Sequence, residues 1–440
     1  MVLIIPRLLS LTFLLAGAAA GQAAPTSATP QLSPQAAYDQ ATRPLEITRR
    51  SIANWSDSET EALGIAIKQA SEACSERSPE QFSGDDLIAF ARLCSLGQQW
   101  PSVSSAAARY IGSTEPKPQL TQAYAYQIDA ALHANDAKAG LASSLAMLQA
   151  VPYDSLVDET IRSTLHYLQL AFTPDALTLY AAREPLILQA LRTPPPTAAM
   201  PIHVLYADGL AYAALQQFAG DPQAAAKTIS ELDLATPSSL SPDDSIPIAE
   251  TRRQYALLGT HLPRIPLTVS LFSVGETPRI NPNYGNATVF FLFPDWCAQC
   301  VRMAQQLRPT LYRISQNDVH LYGLLAQPAP SVAAPPHASA RSRSVGKEPP
   351  EPESPKTPSE LLRGTPTLIV PPATIATFAA TDFPLLIATG PDGIIRFIQP
   401  APENALNPGD FLDQVTNHIA QQWPRETPAQ SVLGPGSAQP

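Results

Sequence analysis

The chain has 440 residues, 45% of them hydrophobic and 15% charged, with a formal net charge of -10. That length allows two or three domains with sizeable cores and excludes wholesale disorder. The acidic balance excludes nucleic acid as a partner, because no basic surface is available to neutralise phosphates.

Arg7 precedes an apolar run, Leu8–Ala20, and small residues follow. That layout predicts a signal peptide over residues 1–24, with cleavage after Ala20 or Ala23. An uncleaved membrane anchor is the alternative, although the run is short for a span. The mature protein is thus expected to be periplasmic or secreted, where disulfides persist. Residues 25–36 are rich in Pro, Ser and Ala and read as a disordered linker.

From 37 to 262 apolar residues recur at three- and four-residue steps, as in Leu87, Phe90, Ala91 and Cys94, so this region reads as all-helical. It holds a weak internal repeat. "NDAKAGLASSLAMLQAVP" (135–152) and "GDPQAAAKTISELDLATP" (220–237) share Asp at the second position, a small residue at the sixth, a bulky apolar residue at the thirteenth and Pro at the eighteenth. "LCSLGQQWPSVSSAAARYI" (93–111) follows the pattern more loosely. The 220–237 stretch resembles the second half of a tetratricopeptide (TPR) repeat, which implies a TPR-like helical array. The offset between the first two stretches is not a multiple of the standard repeat of about 34 residues, so an irregular helical domain is the alternative. Cys74 and Cys94 fit the span of a helical hairpin. In an oxidising compartment a structural disulfide between them is favoured over two buried thiols.

The character changes near residue 265. "LTVSLFS" (267–273) and "ATVFFLF" (287–293) read as strands. A helix is predicted from Cys297 to about Ser315, then a strand, "VHLYGLLA" (319–326). Residues 328–358, rich in Pro, Ser and charge, read as a disordered insertion. Beyond it lie a strand (367–370), a short helix (373–380) and two strands around "PDG", a hairpin signature. An amphipathic helix (408–423) and a polar tail (426–440) end the chain.

The candidate chemistry sits in "FFLFPDWCAQC" (290–300), where a buried strand runs into Asp295, Trp296, Cys297 and Cys300. The W-C-x-x-C of "DWCAQC", with the segment "TFAATDFPLLIATGPDGIIRF" (377–397), resembles the thioredoxin superfamily. The resemblance covers about 265–425 and is nearest to extracytoplasmic TlpA/ResA-like thiol–disulfide oxidoreductases. It implies an α/β domain with a central mixed sheet flanked by helices, so the expected fold class is an α-helical array followed by an α/β domain. It also implies a cis-proline at Pro384, preceded by Phe383, and a docking surface that includes Trp296.

Two cysteines at i and i+3 in a first helical turn lie on one face, close enough to bond. The first meets unpaired backbone N–H groups, which favour its thiolate, the attacking species in disulfide exchange. Cys297 is therefore the expected nucleophile and Cys300 the resolving thiol. Phe291 and Met303 stand where relatives often carry acids that handle the resolving proton, so a purely structural disulfide remains open as the alternative.

Cys74 and Cys94 lie too far along the chain to complete a zinc site with this pair, no His shows ligand spacing, and Val301 stands where a haem attachment needs His. No metal or organic cofactor is expected. The expected partners are exported proteins with thiols or disulfides, a membrane redox partner that resets the pair, and a docking partner for the helical array. The rival reading is a non-catalytic protein-binding scaffold with a static disulfide.

Overall fold

The computed structural model describes residues 31–51, 57–168, 173–193, 200–266, 269–270, 287–305, 319–328, 357–365, 367–400, 415–419 and 421–422. The signal peptide, nearly all of the insertion and the polar tail expected from the sequence lie outside them. The chain divides into two compact units, Met1–Gln99 and Trp100–Pro440.

In the first unit, α1 (Pro34–Ser51), α2 (Asp57–Ser75) and α3 (Asp85–Leu96) pack together. Helix α1 opens at Pro34, a favoured first helical residue, so residues 34–36 are helical and not the end of a linker. A disulfide joins Cys74 on α2 to Cys94 on α3 with both residues buried, and their Cα atoms are 5.2 Å apart. The two helices also approach closely at Gly97, where a Cβ would lie 2.6 Å from the Ser71 backbone nitrogen.

The second unit begins with α4 (Trp100–Gly112), α5 (Leu120–His133), α6 (Ala137–Ala150) and α7 (Ser155–Leu168). It continues through α8 (Thr173–Arg192), α9 (Ile202–Phe218), α10 (Pro222–Ala235) and α11 (Pro242–Tyr255). The three stretches of the weak repeat turn alike. Gln98, Asn135 and Gly220 have positive φ (56°, 56° and 91°), ending α3, α5 and α9. The next amide in each case, of Gln99, Asp136 and Asp221, donates back to Cys94, Ala131 and Gln216 at 2.9 Å. This left-handed C-terminal turn satisfies carbonyls that the helix leaves unpaired. Asp136 and Asp221 then cap α6 and α10 by accepting from Ala139 N and Ala224 N at 3.0 and 2.9 Å. The shared Asp of the repeat is thus a helix N-cap.

A buried charge cluster ties α7, α8 and α9 together. Arg183 on α8 is fully buried and donates to Asp158 of α7 at 2.6 Å and to Asp208 of α9. Arg162 on α7 bonds the same two carboxylates, and the Tyr153 hydroxyl accepts from Arg183 Nε at 2.9 Å while donating to Asp158. Two cations face two anions, which is how such groups tolerate burial. Burial and then the neighbouring carboxylates act on the Arg183 guanidinium, and the net effect raises its pKa further.

The remainder of the unit is a mixed six-stranded sheet, ordered β1-β4-β3-β2-β5-β6. The strands are β1 (Val269–Ser270), β2 (Ala287–Pro294), β3 (Val319–Ala326), β4 (Thr367–Val370), β5 (Leu385–Thr389) and β6 (Ile395–Pro400). Strands β2, β3 and β4 run parallel, β5 pairs antiparallel with β2, and β6 pairs antiparallel with β5. Every residue of β2 is buried, as expected of a central strand covered on both faces. Among the described residues four helical segments accompany the sheet: α12 (residues 298–305), α13 (Pro358–Leu361), α14 (Ala373–Thr377) and α15 (residues 415–419).

The two sheet faces bury different partners. Phe290, Leu292, Leu324, Leu385 and Ile387 form one core with Phe378 and Leu262. On the opposite face Val289, Phe291, Phe293, Leu386 and Phe397 join a core that includes Val301 and Ala304 of α12, Val415 and Ile419 of α15, and residues of α5 to α9. The seam with the helices is direct. The Phe218 ring on α9 lies 5.2 Å from Phe397 and 4.1 Å from His418, and Gln399 Nε2 donates to the Ala211 carbonyl at 3.4 Å. Helices α5–α9 and the sheet therefore share one core.

Candidate functional site

Strand β2 ends at Pro294, and Asp295 and Trp296 make the turn into α12. The Asp295 amide donates to Ala326 O at 3.3 Å, tying this turn to the end of β3. Cys297 is the N-cap residue, since its carbonyl accepts from Val301 N at 3.1 Å. Pro at 294 ends the strand without a donor to satisfy, and the helix begins at residue 298.

Cys297 and Cys300 form a disulfide, with Cα atoms 5.3 Å apart. The two sulfurs sit in different surroundings. Cys297 is half-buried at the mouth of the site, whereas Cys300 is fully buried. Cys300 belongs to the core that contains Phe291, Phe293, Val301, Met303 and Ala304, all apolar. The Cys300 amide donates to Cys297 Sγ at 3.2 Å. After reduction, that donor and the open end of α12 stabilise negative charge on Cys297. The apolar pocket opposes negative charge on Cys300.

Across the sheet, β5 pairs with β2 in the register Leu292↔Leu385, which brings Phe383 and Pro384 beside the turn. The Phe383–Pro384 peptide is cis. Phe383 packs edge-on against Trp296, with ring centroids 5.6 Å apart and planes at 89°. Trp296 is 73% exposed, the most exposed large apolar residue among the described residues of the sheet and its helices, and a side chain that burial does not explain. Trp296, Cys297, Cys300, Phe383 and Pro384, named from the sequence, thus gather at one end of the sheet. Cys74 and Cys94 lie in the first unit, bonded to each other.

The buried polar residues of this sheet and its helices are threonines and Gln399; no Asp, Glu, His or Lys is buried there among the described residues. Phe291 and Met303 are both buried in the core that surrounds Cys300. No group of three or more His, Cys, Asp or Glu that could hold a metal ion occurs among the described residues. No described helix is long and apolar enough to cross a membrane.

Two features escaped the reading of the sequence. The amide of Cys300 as a donor to Cys297 Sγ is a backbone property that any residue there would supply. The Arg183 cluster left a faint signal, because Arg183 falls on the apolar stripe Leu179, Tyr180, Ile187 of α8, and Asp158–Arg162 is an i,i+4 pair. No family model, curated protein or solved structure matches the chain.

Proposed function

We propose that residues 265–425 form a thioredoxin-like domain and that the protein is an exported thiol–disulfide oxidoreductase acting on protein thiols and disulfides. The observation that carries this reading is the unequal cysteine pair. Cys297 is only half-buried, caps a helix N-terminus and accepts from a backbone amide, whereas Cys300 is fully buried. A structural staple has no use for that asymmetry, whereas exchange requires one sulfur to be reachable and stable as thiolate.

Cys297 thiolate attacks one sulfur of a partner disulfide, and the electron pair leaves on the other partner sulfur. Cys300 then attacks Cys297 Sγ, closing the ring and releasing the second partner thiolate. The reverse sequence oxidises a dithiol. Exposed Trp296, braced by Phe383, offers an apolar contact for the partner, and Pro384 carries no N–H, so its edge of β5 has one donor fewer. A membrane redox partner would reset the pair, and the helical array would add a docking surface. The export reading rests on the N-terminal sequence and on the chain's two disulfides.

The rival, a protein-binding helical scaffold with a static disulfide, draws support from the apolar surroundings of Cys300. Reduction of a model protein disulfide by dithiothreitol separates the two. An exchange enzyme accelerates it and loses the effect on Cys297→Ser. A scaffold leaves the rate unchanged.

A further inference from the structure

Cys300 sits in a pocket that opposes loss of its proton. Cys300 is fully buried and belongs to a core in which Phe291, Met303, Val301 and Ala304 are also buried and apolar. Among the described residues, the charged or titratable groups in the turn, on α12, just before Phe383 and on α15 are Asp295, Arg302, Asp382 and His418. Asp295 and His418 are half-buried, and Arg302 and Asp382 are exposed. His418 directs Nε2 to the Phe218 carbonyl at 3.2 Å. None of the four is buried with the Cys300 sulfur.

Resting on the oxidoreductase reading, we infer that the reduced protein holds its partner in a long-lived mixed disulfide on Cys297, and that the site favours disulfide isomerisation over net reduction. The first step needs only Cys297. Its thiolate attacks a misplaced partner disulfide, the Cys297–partner bond forms, the partner S–S bond breaks, and the electron pair leaves on a partner sulfur.

Two exits follow. In net reduction, Cys300 must lose a proton before attacking Cys297 Sγ, and its pocket keeps the reactive thiolate scarce. In isomerisation, a second partner thiolate attacks the partner sulfur of the mixed disulfide. A new partner disulfide forms, the Cys297–partner bond breaks, and Cys297 leaves as the thiolate that its N-cap position stabilises. Nothing is oxidised or reduced overall, no external oxidant is consumed, and Cys300 keeps its proton. The second exit uses the stabilised sulfur as leaving group, so the structure makes it the faster one. The partner class is then a polypeptide with several cysteines, at least one pair wrongly joined.

The test uses the full mature chain, reduced, with two probes. Mixed with glutathione disulfide and quenched in acid, it should accumulate a Cys297–glutathione adduct by mass spectrometry. The decay of that adduct should rise about tenfold per pH unit from pH 6 through pH 9 without levelling, as for a buried thiol that relies on solvent for deprotonation. Met303→Glu, which brings a carboxylate to the edge of the pocket, should speed the decay at pH 7 by tenfold or more, and Met303→Gln should not. With a disulfide-scrambled model protein, re-pairing should outrun net reduction at least tenfold at pH 7. An adduct that decays faster than it forms, a plateau between pH 6 and 8, or reduction that keeps pace with re-pairing would overturn the inference while leaving the oxidoreductase reading intact. Failure of Cys297 to form any adduct would overturn both.

Discussion

Replacing Asp208 by Asn tests how much the buried charge cluster contributes to the unit that carries the site. Arg183 is fully buried and leans on two carboxylates; Asp208 is 14% exposed and its second partner, Arg162, is 31% exposed at the side chain. Removing one carboxylate leaves the cluster with an uncompensated positive charge. Breaking a buried pair in this way costs about 3–5 kcal/mol, and the partial exposure of Asp208 and Arg162 places this case near the lower end, about 3 kcal/mol. That is a sizeable part of the roughly 5–15 kcal/mol that stabilises a typical domain. The assay is urea unfolding at pH 7 followed by far-UV circular dichroism. With a slope of about 3 kcal/mol per molar, the midpoint should fall by about 1 M. Arg183→Met combined with Asp208→Asn should be less destabilising than the two single changes added together. A loss under about 1 kcal/mol for Asp208→Asn would refute the reasoning, since it would mean that water already solvates the cluster.

Opening the Cys74–Cys94 link with paired Cys→Ser changes releases a separation of 20 residues, which should cost the first unit about 3 kcal/mol in calorimetry or urea melts. Gly97→Ala places a methyl group against the Ser71 backbone and should destabilise by about 1–3 kcal/mol on the same measurement. Burial lowers the pKa of His418 below 6.5, against the opposing Phe218 carbonyl. The unfolded chain therefore binds that proton more readily, and stability should fall as pH drops from about 6.5 through the folded pKa. His418→Gln should flatten that part of the pH–stability curve, measured by urea midpoints from pH 7.5 to 4.5. Trp296→Ala, at a 73% exposed position, should change stability by no more than about 0.5 kcal/mol. It should slow disulfide exchange with a protein substrate more than with glutathione disulfide, as stopped-flow fluorescence would show.

Much of the molecule was legible in its letters because the relevant signals are local. Strand β2 and its entry into the Cys-x-x-Cys helix follow from an unbroken apolar run that meets Pro-Asp-Trp. The β5–β6 hairpin follows from Pro-Asp-Gly, with Gly393 at φ 74° in the turn. The Asp of the weak repeat proved to be an N-cap, and residues 98, 135 and 220 share a left-handed conformation although only the last is glycine. Asn takes that conformation at small cost, but Gln98 carries no local sign of it. What the sequence could not convey is non-local. Phe218, Phe397 and His418 are separated by long stretches of chain, so nothing in their spacing announces that α9 closes over the sheet. The asymmetric burial of Cys297 and Cys300 likewise depends on which neighbours the fold brings, and only the apolar identities of Phe291 and Met303 hinted at it.

The central claim is that Cys297–Cys300 is a working redox pair, and its reduction potential tests that most directly. The protein would be equilibrated in graded thiol–disulfide buffers, alkylated under acid quench, and the 297–300 peptide read by mass spectrometry separately from the Cys74–Cys94 peptides. A working pair should titrate reversibly between about -120 and -270 mV. A pair still fully oxidised below about -300 mV would contradict the claim and leave the disulfide as a structural staple.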